Sequence, residues 1–190
     1  NNQLDLFEIT GPLTDCIQYG FVSEQTKQLI FTAIGAIMPN ATEPSLVQNI
    51  VFLMNLLIQN STQLLQTVVD SLPTFENYRQ LALSKQFGYQ EVLANIASLY
   101  LQIAIRKEMP VELVVFAVQQ FPPHDVEETS SMVKAMIELV KNSQNPDLLI
   151  QVCLAFTRFF VQETAKIEQA KVSDELKNIM VQFLKAICSK

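Results

Sequence analysis

Between residues 89 and 108 apolar positions recur at helical spacing, with Val92, Ile96, Leu99 and Ile103 on one stripe and Glu91, Asn95, Ser98, Gln102 and Arg106 opposite. Steps of three and four residues lie on one face of a 3.6-residue helix, so one side packs and the other is presented. The same period predicts nine further helices, over 12–20, 23–38, 44–59, 61–72, 74–85, 110–120, 125–142, 146–169 and 173–189. In 125–142 it buries Val133, Met136, Ile137 and Val140. In 173–189 it buries Leu176, Ile179, Met180, Phe183 and Ile187. Ser23, Thr42 and Asn145 stand where N-caps belong, and Gly20 and Gly88 mark turns. Asp125 followed by Glu128 has capping-box spacing. No segment alternates as a strand does, so the chain is expected to be all-α.

Proline organises these helices into pairs. Pro12, Pro44, Pro73, Pro110 and Pro146 each precede an apolar-periodic segment, at the first-turn position where the missing N–H costs nothing. Each helix so opened is followed by a break and a second helix, which gives five hairpins. The five prolines are 32, 29, 37 and 36 residues apart, and hairpins repeating at about that length stack side by side, each covering the apolar face that its neighbour cannot hide. The expected architecture is a right-handed α-solenoid of about five stacked hairpins, one repeat domain over 1–190. Neither end is polar, with Leu4, Leu6, Phe7 and Ile9 at the start and Phe183, Leu184, Ile187 and Cys188 at the finish. The chain also begins at Asn1 without Met. A section of a longer array, a partner on the ends, or terminal helices folded back would each account for apolar ends.

The segments VELVVFAVQQF and NPDLLIQVCLAFTRFF, apolar helices opened by proline, resemble repeats of the HEAT and armadillo class, in particular those of the importin-β and exportin nuclear transport receptors. The resemblance lies in hydrophobic spacing across most of the chain. It implies an α-solenoid that binds other proteins. Tetratricopeptide repeats share the period, but the chain has no Trp and no Leu-Gly followed by Tyr at the expected places.

One stretch, Ser45 to Leu72, stands at the centre of this arrangement. Residues 28–69 hold a single charged side chain, Glu43. Stacked neighbours on both sides account for that, and any charge-free surface left over is expected around Asn49, Asn55, Gln59 and Gln63.

Charge sharpens the picture. Charged residues are 17% of the chain, against roughly 25% in typical domains, and the net charge is −6. Residues 1–78 carry seven acids and one base, so any preference for a basic partner belongs to that half. Phosphate binding needs clustered Lys and Arg, so direct nucleic-acid binding is not expected. The most apolar run, Ile50 to Ile58, is broken by Asn55 and is far shorter than the ~20 residues of a membrane span. Cys16, Cys153 and Cys188 are odd in number, widely spaced and set on apolar helical faces, which predicts buried, reduced thiols and a cytoplasmic or nuclear setting.

Catalytic chemistry finds little support. His124 is the single histidine and sits in a Phe-Pro-Pro-His-Asp break without ligand partners at metal spacing. Gly11, Gly20, Gly35 and Gly88 are isolated, so no phosphate-cradling loop is present. Asp125, Glu127 and Glu128 suit a helix start, and Phe156, Phe159 and Phe160 suit a core. No enzyme activity, metal or cofactor is expected.

What remains is surface. In a HEAT-type array the second helices line the concave side, which would gather Gln63, Gln66, Asp70, Glu91, Asn95, Ser98, Gln102, Lys134, Glu138, Asn178 and Gln182 into a polar ladder. Amides both donate and accept, which suits a peptide, a partner helix or a basic cargo. The expected function is a non-enzymatic protein–protein interaction module, as a scaffold or a segment of a transport receptor. Neighbouring repeats of the same chain are further candidate contacts. A helical accessory domain of a larger enzyme is the alternative.

Overall fold

The computed structural model describes residues 2–20, 22–84, 89–120, 126–167 and 174–189. Within them every regular element is helical: α1 (Asn2–Gln18), α2 (Glu24–Ile37), a 3-10 turn (Met38–Asn40), α3 (Pro44–Asn60), α4 (Leu65–Asp70), α5 (Leu72–Ser84), α6 (Gln90–Ala104), α7 (Val111–Gln120), α8 (Val126–Asn142), α9 (Pro146–Ile167) and α10 (Asp174–Cys188). His124, Asp125 and Gly88 lie outside the described residues, as do the side chains of Phe156, Phe159 and Phe160. The chain divides into two compact units, Asn1–Gln102 and Ile103–Lys190.

The first unit is built around α3. Leu46, Val47, Ile50, Val51, Leu53, Met54, Leu57 and Ile58 are all buried, while Ser45, Phe52 and Gln59 are exposed. Helix α1 packs along α3, and α2 and α4 also touch it. Each fully buried aliphatic side chain contributes roughly 1.5–3 kcal/mol, so this helix carries a large share of the unit's stability.

Several boundaries follow local chemistry. Ser23 caps α2, its hydroxyl accepting the N–H of Thr26 at 3.2 Å. Gly20 closes α1 in the left-handed region at φ 73°, where a side chain would be strained. Asn145 caps α9, its Oδ1 accepting from the N–H groups of Asp147 at 3.0 Å and Leu148 at 3.3 Å.

Others differ from the periodic reading. Pro12 does not open a helix; it lies inside α1, which starts at Asn2. Thr42 does not cap α3. Glu43 occupies that position without a side-chain bond, and the Thr42 carbonyl instead accepts the Tyr89 hydroxyl at 2.7 Å. The helix expected over 61–72 shrinks to α4, because Ser61 is extended and its hydroxyl is engaged by Glu24. Pro73 falls in the first turn of α5, where its fixed φ suits the helix. The helix expected to run to 108 ends at Ala104.

In the second unit α7 packs on α9, α8 packs on α10, and α8 also touches α9. Val133, Met136, Ile137 and Val140 of α8 are buried, as the period requires, together with Val114, Ala117 and Val118 of α7. Phe183 of α10 is buried and Ile187 half-buried. Among the described residues no helix is long and apolar enough to cross a membrane.

Candidate interaction surface

Polar side chains first fix the helices that carry the surface. Asn49 of α3 donates its amide to the Thr10 hydroxyl of α1 at 2.8 Å, and Asn55 donates to the Asn95 carbonyl of α6 at 3.1 Å. Gln48 reaches from α3 to the Glu91 carboxylate at 2.7 Å. Asn49 and Asn55 are therefore internal fasteners, not the free surface expected of them. Asn55 is 4% exposed, and its Oδ1 has no hydrogen-bond partner among the described residues.

These contacts decide how the expected ladder is displayed. Gln63, Gln66 and Asp70 are exposed, Gln63 in the turn before α4 and the other two on that helix, with Gln66 Nε2 donating to Asp70 Oδ1 at 2.8 Å. Glu91 is exposed but held by Gln48, whereas Asn95, Ser98 and Gln102 are half-buried. The α6 face opposite the apolar stripe is thus partly taken up by α3. In the second unit Lys134 and Glu138 are exposed on α8, and Glu138 pairs with Lys141 at 3.0 Å. Asn178 and Gln182 are exposed on α10, beside the exposed apolar residues Val181 and Leu184.

A second set of residues was hidden from the periodic reading. Glu24, Gln25, Gln28 and Leu29 of α2 line a notch of about 360 Å³ with Gln63 and Leu64. Leu29 is 63% exposed, although it is a large aliphatic side chain. The signal was present, since the buried stripe Lys27, Ile30, Phe31 and Ile34 leaves Leu29 on the outer face. A larger cleft of about 590 Å³ opens in the second unit between the 105–110 and 143–145 connections. Met109, Val114, Leu139 and Leu148 form its apolar floor, and no residue of the expected ladder lines it.

Two carboxylates of the first unit are tied down in small networks. The Glu24 carboxyl is held below the usual range by the Lys27 ammonium, 2.7 Å away, and by the Ser61 hydroxyl. Lys27 itself is buried. Arg79 lowers Glu76 in the same way, assisted by Gln80 and the Tyr100 hydroxyl. Burial raises the phenols of Tyr78 and Tyr100. Tyr78 donates to the Met38 carbonyl.

The cysteines depart from expectation. Cys16 and Cys188 are exposed and Cys153 is half-buried; all three are free thiols. Cys16 lies on the outer side of α1, where the neighbouring Ile17 takes the buried position, and Cys188 extends the outer stripe of Val181 and Leu184. Among the described residues no cluster of three or more His, Cys, Asp or Glu could hold a metal ion. Compared with known proteins, the chain matches no family model, no curated protein and no solved structure.

Proposed function

We propose that the chain is a non-enzymatic protein-binding module, a segment of an α-solenoid that acts as a scaffold or as part of a transport receptor in the cytoplasm or nucleus. The observation that carries this reading is the packing of α7 on α9 and of α8 on α10, with α1 on α3 in the first unit. Contact between alternate helices is what stacked hairpins require, first helix on first helix and second on second. Exposed amides at Gln63, Gln66, Asn178 and Gln182 supply donors and acceptors for a peptide or partner helix. The acidic balance of the first unit favours the transport version, in which a basic cargo or a small GTPase is bound electrostatically.

Affinity capture on the whole chain, identification of the retained proteins and reconstitution with each purified candidate tests the proposal. A direct, stoichiometric complex is the expected result. Retention that vanishes on reconstitution with every purified candidate overturns it.

A further inference from the structure

Among the described residues of the first unit, exposed charge has one sign. Glu8, Asp15, Glu24, Glu43, Asp70 and Glu91 are exposed, whereas Lys27 is buried against Glu24 and Arg79 is half-buried against Glu76. Among the described residues of this unit, no lysine or arginine is exposed. Such a surface attracts cations and repels anions, the more strongly at low ionic strength.

The notch at the start of α2 lies on this surface. Its floor is Leu64, 1% exposed, and its wall is the exposed Leu29. Gln25, Gln28 and Gln63 surround them, all exposed, and none of these three amides is engaged with another described residue. An apolar wall beside unengaged amides packs one apolar side chain and hydrogen-bonds the backbone on either side of it. Its volume of about 360 Å³ falls at the low end of small-molecule pockets, ~300–1,000 Å³. With Leu64 its single buried lining residue, however, it would leave such a ligand in water. Gln63, in the turn before α4, is followed on the helix by the exposed Gln66 and the Asp70 carboxylate, which stand one helical turn apart and are hydrogen-bonded at 2.8 Å.

We infer that this notch, with Gln63, Gln66 and Asp70, docks a lysine- or arginine-rich segment of another protein that inserts one leucine-sized side chain beside Leu29. The inference rests on the binding role proposed above and gives it a place and a partner chemistry.

Fluorescence anisotropy of the whole chain with three labelled synthetic peptides tests it. The first carries one leucine flanked by lysines, the second has serine for that leucine, and the third has glutamates for the lysines. The first is expected to bind, more weakly as salt rises, and the other two at least about tenfold less tightly. On the protein, Leu29→Ser is expected to weaken the first peptide by about the same factor and Asp70→Asn to flatten its salt dependence. Leu184→Ser on α10 leaves binding unchanged. Leu29 is exposed, so an unaltered thermal midpoint in Leu29→Ser separates lost docking from lost folding. Equal binding of the glutamate peptide, unchanged binding by Leu29→Ser, or a Leu29-dependent dimer without peptide overturns the inference. If the peptides fail while a reconstituted protein partner still binds, the docking site is wrong and the binding role stands; if no partner binds either, both are wrong.

Discussion

Ser61 donates its hydroxyl hydrogen to Oε2 of Glu24, tying the end of α3 to the first turn of α2 across 37 residues of chain. The same carboxylate accepts from the buried Lys27 ammonium. Ser61→Ala is therefore expected to lower the unfolding midpoint modestly, because the carboxylate keeps its cation. Glu24→Gln is expected to lower it more, because Lys27 loses its counter-charge while remaining buried. Thermal melts of both variants check the order.

Asn55 gives a prediction of opposite sign. Its Oδ1 is buried without a partner among the described residues, and its one bond goes to a helix carbonyl that already lies within the α6 ladder. Leu at this position removes the orphaned acceptor at similar volume, so Asn55→Leu is expected to be neutral or to stabilise by up to about 2 kcal/mol. Asn55→Asp buries a charge and is expected to destabilise by about 3 kcal/mol or more. Urea denaturation reads both.

Core and surface leucines should separate cleanly. Leu57 is fully buried in α3, and Leu57→Ala is expected to cost about 2–5 kcal/mol. Leu184 is exposed on α10, and Leu184→Ser should change stability by no more than about 0.5 kcal/mol.

Acid should loosen the α5–α6 region through Glu76. Arg79 depresses this carboxyl in the folded state, so its contribution is present above the unfolded glutamate pKa of about 4.3. It is lost as pH falls through the lower folded value. Unfolding midpoints measured from neutral pH into that acid range should fall less steeply in Glu76→Gln than in the parent chain.

Thiol reactivity reports the helix faces. Cys16 and Cys188 are exposed, and burial raises the Cys153 thiol. Alkylation followed by mass spectrometry is expected to modify Cys16 and Cys188 first and Cys153 last.

Much of this architecture was legible in the residues. The α6 and α8 stripes, the caps at Ser23 and Asn145 and the turn at Gly20 depend on chemistry within a few positions, which periodicity and side-chain type express directly. What escaped depends on distant partners. Ser61 looks like the start of a helix until Glu24 takes its hydroxyl, and Thr42 looks like a cap until Tyr89 claims its carbonyl. Asn95 sits opposite an apolar stripe and so reads as presented, yet Asn55 reaches across from α3 to its backbone. Of the candidate surface, the exposure of Gln63, Gln66 and Asp70 was legible from their polar character alone. Leu29 was signalled only indirectly: it runs into Ile30 and Phe31 in one apolar stretch, and its outward place follows from the buried stripe of α2.

In the proposed function the chain holds another protein against an acidic, amide-rich surface. Titration calorimetry of the reconstituted complex at low and at high salt tests it most directly. Affinity that falls steeply as salt rises is the predicted result. Affinity unchanged between the two salt conditions would contradict it.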